Sequence, residues 1–193
     1  MVAPGVALFD TPIGRCGMAW STEGIVAVQL PGADDDTTRA RLASYVRGAV
    51  AGDDLGAAPP EVMDAIGRIV GVLNGARDDL GSVVVDLRGV DEFSQLVYEQ
   101  ARRIAPGETR TYGQLAAAIG RPGAARAVGG ALGRNPCPIV VPCHRVVAAG
   151  GRAGGFSAPG GVHTKLRMLA IEGAVIPALR EPALFDEPRS GPA

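Results

Sequence analysis

Residues 107–147 read GETRTYGQLAAAIGRPGAARAVGGALGRNPCPIVVPCHRVV. Thr109 or Thr111 is placed to cap a short helix through TYGQLAAAIG. Gly120-Arg121-Pro122-Gly123 turns the chain, and AARAVGGALGR makes a second helix. Two short helices joined by a glycine-containing turn read as a helix-turn-helix. The second helix surrounds one long cation, Arg126, with small residues: Ala124, Ala125, Ala127, Gly129, Gly130 and Ala131. Consecutive glycines inside a helix cost about 1 kcal/mol each relative to Ala. Either something approaches this backbone closely, as a phosphate chain would, or the small face packs on a neighbouring element. Ile139-Val140-Val141-Pro142 then reads as a buried run leading into Cys143-His144-Arg145, and Val146-Val147 restarts an apolar strand.

Upstream, residues 90–104 place Phe93, Leu96, Val97, Ala101 and Ile104 on one helical face, with Asp91 as cap and Pro106-Gly107 as the stop. Downstream, a glycine-rich loop at 149–162 leads into a last helix, on which Val162, Leu166, Leu169 and Ala170 recur before Glu172-Gly173 ends it. The first thirty residues hold three short apolar runs, VALFDTP, GRCGMAWS and GIVAVQL, which suit an antiparallel meander. Asp36 or Thr37 is expected to cap a helix carrying Leu42, Tyr45, Val46 and Val50. Residues 51–60 read as a linker, and Val62, Ile66, Ile69, Val70 and Leu73 form a second amphipathic helix ending near Asn74-Gly75. SVVVDL, 82–87, reads as a strand, and residues 175–193, rich in proline, as a flexible tail. The fold class is α+β, an N-terminal α/β unit over 1–89 followed by a mostly helical unit over 90–174.

The chain has 193 residues, 47% of them hydrophobic, with 28 glycines and 15 prolines, enough apolar material for a packed core. Its formal charge is only −1, which by itself argues against a nucleic-acid partner. The charge is segregated, however. Residues 1–100 carry 7 basic and 15 acidic side chains, a net of −8, whereas 101–173 carry 10 basic and 2 acidic, a net of +8. An acidic half joined to a basic half suits nucleic-acid contact by the basic half alone. No basic n-region precedes a long apolar run at the N-terminus, and no run approaches the ~20 residues of a membrane span, so a cytoplasmic protein without membrane contact is expected. Three cysteines cannot all pair with one another, which suits a reducing compartment. A zinc cage would draw four ligands from Cys16, Cys137, Cys143, His144 and His163, whose spacing is not that of a zinc site; neither metal nor cofactor is expected.

A thiol is nucleophilic only as thiolate, so Cys143 needs a base or a positive field. His144 and Arg145 adjoin it in sequence, although neighbours along a strand point to opposite faces. A water could bridge thiol and imidazole. Glu172 is one of two carboxylates in the basic half and, by orienting the imidazole, would complete a Cys–His–Glu relay. An inert buried thiol and a solvated helix end are the plainer readings of Cys143 and Glu172. A transcription regulator would explain the two short helices but not the thiol; a cysteine hydrolase would explain the thiol but not the helices.

PCHRVV at 142–147, within the quoted 107–147 and followed by GGFSAPGGVHTKLRMLAIEGA at 154–174, resembles the signature region of the O6-alkylguanine-DNA alkyltransferases, or methylated-DNA–protein-cysteine methyltransferases. FDTPIG and VVVDL are similar, more weakly, to that family's N-terminal domain, which has a ribonuclease-H-like fold. The resemblance implies a monomer that binds double-stranded DNA containing O6-alkylguanine through the minor groove, flips the base and transfers its alkyl group once, to Cys143. His144 would act as base, with Glu172 orienting it. Asn135 would brace the turn before the nucleophile, and Tyr112 would crowd the target's phosphate and protonate the departing guanine. Arg126 would fill the gap left by the extruded base, while Ala124, Ala125, Ala127 and Gly129 would let the backbone approach DNA. Val146, Phe156 and Ser157 would border the base. Phe156 stands where many relatives have tyrosine, and Ala158-Pro159 lengthens the loop that follows. A non-catalytic sensor of alkylated bases is the alternative within the same resemblance.

Overall fold

The computed structural model describes residues 3–46, 50–51 and 58–180. Three strands, β1 (Gly5–Thr11), β2 (Gly14–Trp20) and β3 (Ile25–Gln29), form the expected antiparallel meander. A two-residue strand, β4 (Val50–Ala51), adds to β1 in parallel and gives the order β3-β2-β1-β4. Helix α1 (Asp35–Ala43) crosses the sheet and sets Leu42 against β2 at Gly17, where any Cβ would strike Leu42 and Leu8. Its cap is Asp34, whose carboxylate accepts from the Thr37 amide at 2.7 Å, so the expected caps Asp36 and Thr37 lie inside the first turn. The helix ends at Ala43; Tyr45 is exposed and Val50 belongs to β4, so the helical spacing read through these residues overran the element. Most of the expected linker, 52–57, lies outside the described residues.

Helix α2 (Pro60–Leu73) starts on Pro60, suited to a first turn whose amides lack partners, and buries Val62, Ile66, Ile69 and Leu73. The strand expected at 82–87 is reduced to one bridge between Val85 and Ile25. Its physical competitor is Arg102, whose Nη2 donates to the carbonyls of Leu80, Gly81 and Val83 at 3.1, 3.0 and 2.7 Å. The guanidinium thus takes the Val83 carbonyl, which a strand partner would otherwise hold, and fastens the turn at Leu80–Gly81 just before it.

Arg102 ends α3 (Glu92–Arg102), capped by Asp91 as expected. Val97 and Ala101 are buried, but Leu96 is 41% exposed and Tyr98 is buried instead, its hydroxyl donating to the Ala131 carbonyl at 2.9 Å. Strand β5 (Arg110–Thr111) pairs in parallel with β6 (Val146–Val147). Helix α4 (Tyr112–Ala118) follows β5 directly, held by a capping box in which Thr111 and Gln114 exchange bonds. The turn to α5 (Ala125–Gly133) uses Gly120 and Gly123 in the left-handed region. Helix α6 (Gly161–Ile171) completes the unit, and Arg167 on it donates to Pro12 O in the β1–β2 turn at 2.6 Å.

One buried cluster runs from β1–β3 and α2 through α3, α4 and α5 to the 137–146 segment, so the nucleophile's run is anchored in the main core. The tail expected from 175 is packed at its start: Ile176 is buried and Pro177–Arg180 forms a 3₁₀ turn. The rest, 181–193, lies outside the described residues. Among the described residues no helix is long and apolar enough to cross a membrane. Replacing Arg102 with Met keeps an apolar stem and removes the donor to the part-buried Leu80 and Val83 carbonyls, of which Leu80 O keeps the Val83 amide; urea unfolding should show a loss of about 2 kcal/mol with an unchanged m-value.

Candidate active site

The segment before Cys143 is braced rather than strand-like. Asn135 donates through Nδ2 to Val141 O at 2.9 Å, and its Oδ1 accepts from the Cys137 amide at 3.0 Å. Ile139 sits at φ 76°, a conformation that a β-branched side chain adopts only when its surroundings impose it. Cys143–Arg145 then forms a 3₁₀ turn, not the strand that the sequence suggested, and all three side chains are buried. Neighbours in such a turn are not confined to opposite faces. Cys143 lies at the floor of a cleft of about 680 Å³ walled by Tyr112, Arg126, Gly129, Phe156 and Ser157. Clefts of about 580 and 640 Å³ elsewhere on the molecule contain no cysteine or histidine, so the thiol decides which cleft carries chemistry.

Burial raises the Cys143 thiol above its ordinary range, opposed by a hydrogen bond from Asn135, the positive charge of Lys165 and nearby backbone amides. At rest it is therefore protonated. His144 is fully buried. Its Nε2 stands 2.9 Å from Glu172 Oε1, and because a carboxylate only accepts, Nε2 carries the proton. Nδ1 is left as a buried acceptor with no partner. Burial lowers the His144 pKa and keeps the ring neutral, outweighing the opposing pull of Glu172.

Glu172 is held from three sides. Arg145 Nε reaches both oxygens, at 3.1 and 3.0 Å, and Nη2 reaches Oε1 at 2.7 Å. The Gly107 amide donates to Oε2 at 3.3 Å. Gly107 has φ 83°, and a Cβ there would stand 2.9 Å from Glu172 O, so this position takes glycine on two grounds. Arg145 Nη1 also donates to Ile104 O at 2.6 Å. Burial pushes Glu172 upward, but the hydrogen bonds of His144 and Arg145 and the Arg145 charge bring it down to about 2.

Two of these residues were not singled out from the sequence. Arg145 was seen only as a neighbour of the thiol. Lys165 is fully buried, its Nζ 2.6 Å from Val146 O and 5.8 Å from the centre of the Tyr112 ring. Burial brings Lys165 down to about 8. Its signal was present: position 165 falls on the apolar face defined by Val162, Leu166 and Leu169.

The remaining expected residues divide. Tyr112, half-buried, bonds weakly to Gly155 O at 3.4 Å, with its ring against Gly129 and Gly154. Arg126 is exposed at the cleft mouth beside Ala125. Ala124 packs towards the core at the start of α5, and Ala127 is exposed on α5; neither lines the cleft. The Val146 carbonyl already accepts from Lys165. Phe156 is half-buried at the cleft, and Ser157 Oγ donates to Gly133 O at 2.9 Å, tying the loop to the end of α5.

The matching family profile, described as 6-O-methylguanine DNA methyltransferase, DNA binding domain, covers residues 92–174. The chain belongs to the methylated-DNA–protein-cysteine methyltransferase family. It is 44% identical over 126 residues to the methylated-DNA–protein-cysteine methyltransferase of Mycobacterium tuberculosis, an alignment spanning 60% of this chain and 73% of that protein. It is 38% identical over 166 residues to the bifunctional transcriptional activator/DNA repair enzyme Ada of Escherichia coli, over 86% of this chain and 44% of that protein. The crystal structure of Mycobacterium tuberculosis OGT in complex with DNA superposes with a TM-score of 0.68 at 32% identity, covering 94% of this chain and 99% of that one.

A carboxylate depressed in the folded state contributes stability that is complete above its ordinary value of 4.5 and lost as pH falls through about 2. The lowered His144 acts in the same direction, its contribution fading as pH drops below 6.5. The thermal midpoint of wild type should therefore decline below pH 6.5 and fall further between pH 4.5 and 2. In Glu172→Gln that part of the fall should disappear, while stability at pH 7 drops by about 3–5 kcal/mol because Arg145 is left unpaired.

Proposed function

We infer that the chain repairs alkylated DNA directly, moving the alkyl group of an O6-alkylguanine onto its own Cys143 in a single turnover. The observation that carries this is a buried thiol flooring an open cleft, with the next residue a neutral imidazole that Glu172 fixes through Nε2 and leaves with a free Nδ1. The names of the relatives support transfer over the non-catalytic sensor.

An alkyl carbon on O6 is shielded inside the stacked duplex, so the nucleotide has to be extruded first. Helices α4 and α5, packed together across a short glycine turn, form the helix-turn-helix of this reading, and α5 enters the minor groove. Ala125, Ala127 and Gly129 keep its backbone close to the DNA, while Ala124 packs on the core side of the helix start, and the exposed Arg126 fills the gap left by the flipped base. In the cleft His144, through a bridging water, takes the Sγ proton. Sulfur attacks the alkyl carbon in line; the S–C bond forms as C–O6 breaks, and the electron pair leaves on guanine. Tyr112, whose burial keeps its phenol protonated at neutral pH, supplies the proton that the guanine then needs. The Lys165 charge favours the thiolate. Val146 O retains a second lone pair for the guanine edge, and Phe156 and Ser157 wall the base. The thioether is not readily hydrolysed, so each molecule acts once.

The finer architecture belongs to the same reading: a ribonuclease-H-like domain at 1–89, a DNA-binding and catalytic domain at 90–174, and a tail at 175–193. The order β3-β2-β1-β4, with β4 parallel to β1, supports the first. We also place the protein in the cytoplasm as a monomer, a setting that suits three free cysteines.

Incubation with a duplex carrying O6-methylguanine should add one methylene equivalent, as read by intact mass, to the peptide containing Cys143, saturating at one per molecule. Cys143→Ala should still bind the lesion without transfer; label on Cys137 would refute the assignment. Arg126→Ala should lose more repair on duplex than on the free alkylated base, and equal losses would remove its role in extrusion.

A further inference from the structure

The exposed face of α5 runs from Arg126 through Ala127, Gly130 and Gly133 to Arg134, the residue that caps the helix. A rise of 1.5 Å per residue separates the two arginines by about 12 Å along the axis. A Cβ added to Gly130 would stand 3.6 Å from Arg134 Nη1, so the guanidinium folds back along this small-residue face. Arg134 is paired with Asp91, at 4.0 Å, with side chains 67% and 60% exposed. An exposed pair at that distance is weak. Asp91 does not depend on it: as the α3 cap its carboxylate accepts from the Ser94 amide at 2.9 Å and the Ser94 hydroxyl at 2.7 Å.

We propose that Arg134 contacts a phosphodiester of the DNA strand beside α5, and that Asp91 is the counter-charge it leaves when DNA binds. The proposal rests on the reading that α5 lies on DNA. A helix about 10 Å across cannot sink fully into a minor groove about 6 Å wide, so its end emerges beside the sugar–phosphate backbone. There a guanidinium exchanges a loosely held carboxylate for a phosphate, to which it can donate two bonds. The exchange leaves no unpaired acid, because Ser94 continues to hold Asp91. Asp91 thereby sets how much of the Arg134 charge the duplex gains.

The test is a double-mutant cycle on duplex affinity, measured against KCl concentration for wild type, Arg134→Gln, Asp91→Asn and the double variant. Asn keeps the helix cap, and both sites are exposed, so thermal midpoints should confirm folded variants. Arg134→Gln should reduce the slope of log K against log salt by about 0.9, the yield of one phosphate contact. Asp91→Asn should tighten binding by about two- to fivefold in wild type and leave it unchanged in the Arg134→Gln background. An unchanged salt slope in Arg134→Gln overturns the phosphate contact. The same gain from Asp91→Asn in both backgrounds means that the carboxylate merely repels DNA, and overturns the exchange. Arg126→Ala separates this from the underlying reading: if duplex binding is indifferent to Arg126 as well, α5 is not the DNA face.

Discussion

Glu172 is the constraint on which the site depends. Its carboxylate is buried, ionised and shared between an imidazole and a guanidinium. Burying such a group is costly unless every lone pair is used, and here His144, Arg145 and the Gly107 amide use them. The geometry fixes the last turn of α6, the chain reversal at 106–107 and the 143–145 turn relative to one another. Arg145 extends the clamp to Ile104 at the end of α3. Three segments distant in sequence, 104–107, 143–145 and the end of α6, are thus held together through one carboxylate, and the thiol inherits its position from them.

The clamp also sets the chemistry. With Arg145 holding it ionised, Glu172 is a poor proton acceptor and acts by orienting His144. The imidazole is left neutral with Nδ1 as its open acceptor, the state a base needs. Cys143, raised by its own burial, stays protonated until that base acts. The same burial keeps adventitious electrophiles from an easily reached thiolate. Lys165 lies on the other side of the balance, placing a positive charge near the sulfur while its ammonium is fastened to Val146 O.

The parts of this arrangement that were legible in the sequence are those with a local cause. Asp91 and Thr111 announced their helices because capping is decided within four residues, and the PCHRVV context carried the family. Glu172 stood out because the basic half has so few carboxylates. Arg145 and Lys165 were missed because their burial depends on partners 27 and 19 residues away. The 82–87 strand was cut short for a related reason: its apolar pattern was right for an extended segment, but Arg102, on a later helix, took the Val83 carbonyl. Asp34 was passed over because a run of three aspartates offers three caps, and only the burial of Thr38 and Leu42 fixes the register.

Single use reconciles the site with its own energetics. An enzyme that turns over needs a nucleophile that is regenerated and a pocket that releases product. A thiol that ends as a thioether needs neither, so it can sit behind a buried, neutral base in the main core of the molecule. On the proposed reading selectivity comes from delivery: the thiol floors a cleft walled by Tyr112 and Phe156, so only a base lifted from its stack would bring its alkyl carbon within reach of the sulfur. The segregation of charge fits this division. Seven of the arginines on the basic half are exposed, whereas Arg145 and Lys165 are buried around the thiol. One set of cations therefore faces outward to solvent, and the other faces inward, around the thiol.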